Sequence, residues 1–361
     1  MNIGIVGAGA ISDIYLKNLT TLFPNTKVIS VCANHIENAQ KKADIYGLEA
    51  VTLADMLSDP RIELMVILTP VGTHADLIRQ CLNAGKHVYS EKTITDKLEE
   101  ASELLDLANQ KGLYLGCAPD TFLGSSFQCA KKLLDEKRIG EVLSFSISIN
   151  RNNDILTALF PFLRQPGAGA LRDYLVYFVT ALVYLLGPAV EVAAFSETPF
   201  PVRVGKYPQF SNYGQETPTP NESIVSAIVK LKNGITGSIH ENNESNIKEQ
   251  CHFILYGTNG ILHLGNPNNF GDPLTLFPAD YQSEPEVIVS DLPFSDNSRG
   301  VGVAELVSAV IQNRTALTDA SLARHVLEIL EGMEKSAAEH SFVPITSDCP
   351  QMNPFNKDNI S

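Results

Sequence analysis

Two glycines near the N-terminus have the spacing of a phosphate-binding turn. The segment Gly7-Ala8-Gly9-Ala10-Ile11-Ser12 follows the apolar run Ile3–Val6 and opens a helical pattern over about Ile11–Leu22. In such a turn the first glycine permits the bend, the second lets the backbone approach a diphosphate, and a small third residue packs helix on strand. The N–H groups at a helix N-terminus bind phosphate oxygens. The segment therefore predicts a dinucleotide site that includes Gly7, Gly9, Ala10 and Ile11.

The end of the second apolar run leaves the choice of cofactor open. Dinucleotide-binding turns are usually followed, about 20 residues later, by an acidic residue that binds the ribose hydroxyls. Here Ala33 and Asn34 stand at that place, and we expect Asn34 to lie beside the ribose. The missing carboxylate removes a repulsion against a 2′-phosphate, but no Arg follows, and Lys41 and Lys42 lie almost two turns into the next helix. A nicotinamide cofactor is predicted, either NAD or NADP.

Short apolar runs alternate with amphipathic stretches over residues 1–120. Five runs read as strands: Ile3–Val6, Val28–Cys32, Leu64–Leu68, His87–Ser90 and Leu113–Gly116. Four stretches between them read as helices: about Ile11–Leu22, Glu37–Tyr46, His74–Ala84 and Asp96–Gln110. Strands that are apolar throughout and separated by helices predict a parallel sheet covered on both faces. We therefore predict an α/β Rossmann domain over 1–120.

The pattern changes after residue 120. A helix over about Ser125–Lys137 precedes an alternating strand, and a second helix is predicted over Asp173–Leu186. Leu231-Lys232-Asn233-Gly234-Ile235 carries the Asn-Gly signal of a hairpin. Six runs read as strands: Val142–Asn150, Val190–Phe195, Ile224–Leu231, Ile235–His240, His252–Tyr256 and Ile261–Leu264. These features predict an α+β domain over 121–361 with a large open, mainly antiparallel sheet, and a proline-rich loop over 198–221.

Composition narrows the class of protein. The chain has 361 residues, 44% of them hydrophobic and 19% charged, which is typical of a folded protein of two or three domains. A net charge of −14 argues against nucleic acid or an anionic membrane as partner. No apolar run reaches the ~20 residues of a membrane span, no signal peptide is recognised, and the six cysteines lack metal-site spacing, so no metal is expected. These features predict a cytoplasmic location.

Several motifs together resemble one family, the Gfo/Idh/MocA oxidoreductases (glucose–fructose oxidoreductase and inositol dehydrogenase). They are Thr69-Pro70-Val71-Gly72-Thr73-His74, Ala84-Gly85-Lys86-His87-Val88-Tyr89-Ser90-Glu91-Lys92, Gly167-Ala168-Gly169-Ala170-Leu171-Arg172-Asp173, Tyr256-Gly257-Thr258-Asn259-Gly260 and Asp296-Asn297-Ser298-Arg299-Gly300. The resemblance covers nearly the whole chain. It implies hydride exchange between NAD(P) and the hydroxyl carbon of a sugar, polyol or related cyclic alcohol. It also implies a homodimer or homotetramer formed through the sheet of the second domain.

The resemblance also implies which residues form the site. The family's Glu-Lys-Pro motif falls on Glu91-Lys92-Thr93, which makes Lys92 a catalytic residue that donates to the reacting oxygen. The cofactor is then expected to contact Leu68, Thr69, Pro70, His74, Glu91 and Lys92. Viewed alone, Lys92 would more often be a solvated ion-pair partner of Glu91, and His74 a helix cap.

The family's Asp-x-Gly-x-His motif falls on Asp173-Tyr174-Leu175-Val176-Tyr177. Asp173 and Tyr177 are four residues apart on a predicted helix, so both are expected on one face. Tyr177 stands where most of the family has histidine. The glucose–fructose oxidoreductase branch resembles this chain in having tyrosine there, and a phenol at this position can act as general acid and base. Asp173 would orient the substrate or Tyr177. Their alternative roles are an N-cap for Asp173 and apolar packing for Tyr177.

Two departures from the family pattern leave other functions open. Thr93 replaces a proline, and Leu175 replaces a glycine that leaves room for substrate. One alternative is an NAD-dependent glycoside hydrolase that oxidises, eliminates and re-reduces its substrate without net NADH release. The other is a dinucleotide-binding protein that has lost its catalytic activity.

Overall fold

A computed structural model describes residues 1–165, 168–280, 282–350, 354–355 and 360 of the chain. The chain forms two compact units. The first unit comprises Met1–Gly124, Pro293–Leu327 and Asp348–Ser361. The second comprises Ser125–Leu292 and Glu328–Ser347. Each unit has its own sheet, and the two are described separately below.

The first unit contains a six-stranded parallel sheet with strand order β3-β2-β1-β4-β5-β6. Its strands are β1 (Asn2–Val6), β2 (Lys27–Cys32), β3 (Glu49–Ala50), β4 (Leu64–Ile67), β5 (His87–Ser90) and β6 (Leu115–Cys117). Its helices are α1 (Ser12–Thr21), α2 (Ile36–Tyr46), α3 (Leu53–Ser58), α4 (His74–Asn83) and α5 (Leu98–Lys111). All four residues of β4 are buried because helices cover both faces of the sheet. The predicted Rossmann fold is confirmed, and the strand order reverses between β1 and β4.

The second unit contains a nine-stranded mixed sheet with strand order β16-β15-β14-β13-β7-β12-β11-β8-β17. Its first elements are α6 (Ser125–Asp135), β7 (Val142–Asn152), α7 (Asn153–Leu159), a π-helical turn (Leu171–Leu175) and α8 (Val176–Leu186). The strands that follow are β8 (Ala189–Glu197), β9 (Val202–Val204), β10 (Glu216–Pro218), β11 (Ile224–Leu231), β12 (Thr236–Asn242), β13 (Glu244–Gly257), β14 (Gly260–Leu264), β15 (Leu274–Pro278) and β16 (Glu286–Ile288). Among the strands of this sheet that the structure describes, only β7 and β12 pair in parallel. The mainly antiparallel sheet predicted from the sequence is confirmed.

In the described residues after β16 the chain forms α9 (Val301–Gln312), α10 (Ala320–Glu339) and β17 (Val343–Pro344). Helix α9 belongs to the first unit, whereas α10 begins in the first unit and continues in the second. Within the described ranges, no helix combines the length and apolarity that a bilayer crossing requires.

Aromatic side chains of the second unit form a core between its helices and its sheet. The Phe253 ring lies 6.3 Å from that of Phe127 on α6 and 6.2 Å from that of Phe178 on α8, measured between centroids. Each such buried phenylalanine contributes about 1.5–3 kcal/mol. The Tyr184 hydroxyl on α8 donates to the Gln128 side chain on α6 at 2.9 Å. The core therefore fixes α8, which follows the turn that carries Asp173.

The structure differs from the sequence prediction in the proline-rich segment 198–221. That segment contains the two-stranded arm β9–β10, which the prediction treated as loop. Arg203 of β9 is buried and pairs with Asp154 at 2.9 Å and with Glu244. Since neither carboxylate is close to Arg203 in sequence, the residue pattern around Arg203 did not predict these two ion pairs.

Candidate active site

Gly7 allows the carboxyl ends of β1 and β4 to approach each other. Its φ of +112° is one that side chains disfavour, and a Cβ on Gly7 would meet the carbonyl oxygen of Leu68 at 2.8 Å. The Gly7 N–H donates to the carbonyl of Cys32 at 2.9 Å, which also ties the turn to β2. The bend therefore lies where the strand order reverses, the usual ligand site of an open α/β sheet.

Gly9 leaves the space in front of α1 open. A Cβ built on Gly9 would have no atom within 4 Å, and Gly9, Ala10 and Ile11 are exposed. The Ser12 hydroxyl is buried and donates to the Gly9 carbonyl at 2.6 Å, which holds the turn against the first residue of α1. The first N–H groups of a helix lack partners inside it and favour anions. The Ser12 and Asp13 N–H groups donate to the Gly9 and Ala10 carbonyls, so a diphosphate in the open space before α1 would meet the turn backbone and the positive end of the helix dipole.

The end of β2 places Asn34 in an exposed position. Lys42, one of the two lysines considered for a 2′-phosphate, pairs instead with Asp13 of α1. The Tyr46 hydroxyl donates to the Asp13 carbonyl at 3.2 Å, so α2 is held against α1 by two contacts. Lys42 therefore has a structural partner, whereas Lys41 is exposed.

His74 connects the loops that follow β4 and β5. The imidazole is fully buried at the start of α4. Its Nε2 lies 2.8 Å from the Thr69 carbonyl oxygen and its Nδ1 lies 2.8 Å from the Thr93 carbonyl oxygen. His74 thereby holds the backbone at Thr69, which precedes Pro70, and at Thr93, which follows Lys92. Its expected contact with the cofactor stays a prediction.

Lys92 lies immediately beyond the carboxyl end of β5 and is partly exposed. The Lys92 N–H donates to Glu91 Oε2 at 3.1 Å, and the buried Tyr15 hydroxyl donates to Glu91 Oε1 at 2.8 Å. Burial and the nearby Glu91 charge raise the pKa of Tyr15 well above its usual value, so the phenol stays a donor. The peptide bond between Lys92 and Thr93 is cis. Glu91 therefore links helix α1 to the backbone of Lys92.

Asp120 anchors α9 within the first unit. Its buried Oδ2 accepts from the N–H groups of Gly300 and Gly302, at 2.8 and 3.0 Å. Burial raises the pKa of Asp120 to about 6, although these N–H groups and Arg299 oppose the shift. The Asp296–Gly300 motif thus serves to dock the N-terminus of α9.

Replacing Asp120 with alanine is expected to destabilise the protein by about 2–4 kcal/mol, because two buried N–H donors would lose their acceptor. Asp120→Asn keeps an acceptor and should cost much less. A folded-state pKa above the usual value of about 4 means that the folded protein binds the proton more tightly, so wild-type stability should fall as pH rises from about 4 through 6. Urea unfolding across this range measures both effects. A steeper decline in Asp120→Asn than in wild type would contradict the assignment.

Asp173 lies in the π-helical turn that precedes α8. Its Oδ2 is 3.6 Å from Nη1 of Arg151, whose guanidinium lies 3.8 Å above the Tyr174 ring. Asp173 and Arg151 both line a pocket within the second unit. The predicted α-helical start at Asp173 is thus replaced by a wider turn, a feature frequent at functional sites.

Tyr177 lies on the first turn of α8 and is partly exposed. Its ring centroid is 6.1 Å from that of Tyr174.

Leu175 is fully buried and does not line the pocket beside Asp173, so its side chain leaves that pocket free. Lys92 belongs to the first unit, and Asp173 and Tyr177 to the second. Gly167, the first residue of the Gly167–Asp173 motif, lies outside the described residues.

Sequence reasoning missed four polar residues around this pocket: Arg151, Glu222, Glu241 and Asn243. Glu222 Oε1 accepts from the Leu171 N–H at 3.1 Å. Glu241 is fully buried, and burial raises its pKa to about 8. The sequence signal that could have predicted this pocket is the pair of polar runs 150–154 and 241–244 at the ends of two strands. Buried polar clusters at strand ends often belong to binding or catalytic sites. Among the described residues, no three His, Cys, Asp or Glu side chains are arranged to hold a metal ion.

Comparison with known proteins places the chain in a family. Residues 1–118 match the model described as oxidoreductase family, NAD-binding Rossmann fold, and residues 127–263 match the GFO/IDH/MocA C-terminal domain. The two matches fall on the two sheets in the order expected. The chain belongs to the Gfo/Idh/MocA family and carries its NAD-binding Rossmann domain.

Individual relatives share 27–30% of their residues with this chain over about half of its length. The chain is 27% identical over 54% of its length to scyllo-inositol 2-dehydrogenase (NADP(+)) of Bacillus subtilis, and 30% identical over 52% to dTDP-3,4-didehydro-2,6-dideoxy-alpha-D-glucose 3-reductase of Streptomyces violaceoruber. These alignments span 54% and 56% of the relatives, so the chain matches about half the length of each. The solved levoglucosan dehydrogenase in complex with NADH has the same fold: TM-score 0.83 at 20% identity, covering 96% of this chain and 99% of that one.

Proposed function

We propose that this protein is an NAD(P)-dependent dehydrogenase or reductase that transfers hydride between the nicotinamide and the hydroxyl-bearing carbon of a sugar, polyol or related cyclic alcohol. The observation that supports it most is the first unit's own geometry. The glycine turn at the strand-order reversal opens onto free space, and Lys92 stands at the carboxyl end of the same sheet. The names of the inositol dehydrogenase and sugar reductase relatives agree with this substrate class.

Each catalytic residue has a proposed role. A bound nicotinamide would supply the hydride acceptor or donor. Lys92 would donate a hydrogen bond to the reacting oxygen, with its backbone held by Glu91. Tyr177 would take the proton of the substrate hydroxyl, or return it in the reductive direction. Asp173 would orient the substrate.

Several further predictions accompany this function. We propose that residues 1–120 form the cofactor-binding domain and residues 121–361 the substrate-binding and oligomerisation domain. A homodimer or homotetramer formed through the large sheet and a cytoplasmic location also stay predictions.

Mass spectrometry of ligands released from the purified protein, followed by a sugar and polyol screen monitored at the nicotinamide absorbance, tests the function. We expect copurified or added NAD(H) or NADP(H) and stoichiometric reduction with at least one substrate. Product formation without net NADH release would instead support the redox-neutral glycoside hydrolase. Cofactor binding without turnover across the screen would favour a protein that has lost catalysis.

Removing the Tyr177 hydroxyl is expected to slow the reaction. With a substrate found in that screen, Tyr177→Phe should lower kcat by about 100-fold or more, because a positioned general acid–base contributes at least that much. Tyr256→Phe, on the exposed Tyr256 of β13, is the matched control and should leave kcat unchanged. Steady-state kinetics over a range of pH measure both. Equal kcat values for Tyr177→Phe and wild type would remove Tyr177 from the mechanism.

Replacing Asn34 with aspartate should favour NAD over NADP. A carboxylate there would accept from the ribose hydroxyls and repel a 2′-phosphate, and a charged hydrogen bond of about 1.5–3 kcal/mol corresponds to about tenfold or more in relative affinity. Fluorescence titration with NADH and NADPH gives the ratio of dissociation constants. Asn38→Asp adds the same charge one turn into α2 and should shift this ratio much less. An unchanged ratio in Asn34→Asp would mean that Asn34 does not face the ribose.

A further inference from the structure

The turn that carries Asp173 is held at its start by Glu222. Glu222 Oε1 accepts from the Leu171 N–H at 3.1 Å. Gly169, just before the turn, packs against the same side chain, because a Cβ at that position would overlap the Glu222 carboxylate. These contacts fix the start of the turn through its backbone. The Asp173 carboxylate has a different support, which is the Arg151 guanidinium.

Arg151 brings a buried positive charge to Asp173 from the end of β7. The residue is 7% exposed, and its Nη1 lies 3.6 Å from Asp173 Oδ2. Its Cζ lies 3.8 Å from the centroid of the Tyr174 ring. A planar guanidinium stacks on an aromatic face in a way that an ammonium group does not. Arg151 therefore contacts Asp173 and the next residue of the turn at the same time.

Glu249 and Asn266 complete a ring of four side chains. The sheet register pairs Arg151 of β7 with Glu249 of β13, and Glu249 Oε2 lies 3.9 Å from Arg151 Nε. Asn266 Nδ2 donates to Glu249 Oε1 at 2.8 Å and to the Tyr174 hydroxyl at 2.7 Å. The side-chain ring thus runs from Arg151 to Glu249, Asn266 and Tyr174 and returns to Arg151. Because each member contacts two others, rotation of the guanidinium would break several contacts at once.

A further carboxyl near Arg151, that of Glu241, competes little for its charge at neutral pH. Glu241 is fully buried, and burial raises its pKa to about 8 although the Arg151 charge opposes the shift. A buried carboxyl of this kind is mostly protonated at neutral pH. Asp173 and Glu249 are then the carboxylates that pair with Arg151.

We propose that Arg151 is a positioning residue for the reaction: its guanidinium, fixed in the side-chain ring, holds the Asp173 carboxylate in the orientation that binds substrate. The proposal rests on the proposed function, in which Asp173 orients the substrate. Arg151 itself would touch neither substrate nor cofactor and would act through Asp173 alone.

A double-mutant cycle on the full-length protein tests whether Arg151 acts through Asp173. With a substrate found in the screen above, kcat/KM is measured for wild type, Arg151→Gln, Asp173→Asn and the double variant. We expect Arg151→Gln to lower kcat/KM about tenfold or more in the wild-type background, but less than about twofold beside Asp173→Asn, because contacting residues are coupled. A role in stability alone would give the same factor in both backgrounds. Equal factors, or full activity in Arg151→Gln, would overturn the proposal.

Two further variants support the cycle, also in the case that Arg151→Gln folds poorly. Glu249→Ala opens the side-chain ring at a side chain that is 41% exposed, so the fold should tolerate it. It should lower kcat/KM about threefold or more, again only where Asp173 is present. Arg138→Gln breaks an exposed ion pair with Glu286 and, as the control, should stay within about twofold of wild type. Thermal unfolding checks each fold, and a folded Glu249→Ala protein with wild-type kcat/KM contradicts the proposal.

Crystal structures separate this proposal from the proposed function. In the Arg151→Gln variant, or in Glu249→Ala, we expect the Asp173 carboxylate to leave its wild-type position. If wild type oxidises a substrate with NAD(P) but the carboxylate and kcat/KM are unchanged in the variants, the positioning role fails and the proposed function stands. If wild type binds neither NADH nor NADPH, the oxidoreductase function fails, while a displaced Asp173 carboxylate still supports the role of Arg151 in orienting it.

Discussion

Lys92→Met is expected to lower kcat about 100- to 10,000-fold while NADH binding changes little. The range is the usual contribution of a positioned acid–base group. Methionine preserves the length of the side chain and removes only the ammonium group. The Lys92 N–H to Glu91 contact, and the buried Tyr15 hydroxyl behind it, do not depend on the side chain that is changed. Single-turnover kinetics with an identified substrate and NADH fluorescence titration measure the two quantities separately.

Lys97→Met is the matched control for this experiment. Lys97 is exposed at the N-cap of α5 in the same unit, and no contact with cofactor or substrate is predicted for it. We expect kcat within about twofold of wild type, as for most exposed surface changes. If Lys92→Met retained full turnover, Lys92 would have no role in proton transfer. If it lost NADH binding to the same extent as kcat, Lys92 would act in cofactor binding alone.

Gly9→Asp is expected to weaken dinucleotide binding about 100-fold or more. A Cβ on Gly9 meets no atom, so the substitution should fold normally, yet it places a carboxylate in the space in front of α1. Two like charges about 4 Å apart near a protein surface repel by about 4 kcal/mol, which exceeds the ~2.7 kcal/mol of a 100-fold change. Fluorescence titration with NADH and NADPH measures the loss, and thermal unfolding checks the fold.

Two controls distinguish charge from backbone effects. Gly9→Ala fills the same position without charge and should weaken binding much less than Gly9→Asp. Asn109→Asp adds one negative charge on the exposed face of α5 and should leave binding unchanged. Normal NADH affinity in a folded Gly9→Asp protein would mean that the diphosphate does not lie at this turn.

Most of the first unit was predictable from local pattern. Strands such as β4 are apolar at every position because both faces are covered, and the positive φ of Gly7 is one that its residue type allows, so the glycine marks the turn in the sequence. The short pair β3 and α3 was missed, since two strand residues and six helical ones carry little periodicity.

The second unit was predictable in its strands but not in its polar pocket. The Asn-Gly turn correctly joined β11 to β12. Arg151, Glu222 and Asn243, by contrast, meet only after β7, α8, β11 and β12 are assembled, and long-range contacts of this kind leave no local periodicity. The π-helical turn was also missed, because residues 171–175 have an ordinary helical pattern.

The contact between Gly169 and Glu222 has a consequence for anyone who redesigns this protein. Because a methyl group at position 169 would collide with the carboxylate at position 222, a side chain at 169 requires the carboxylate at 222 to move or to be removed. Substitutions at the two should be strongly non-additive in a double-mutant cycle. Gly169→Ala is then harmful in the native background and better tolerated beside Glu222→Ala, so a library that randomises one position should randomise the other with it.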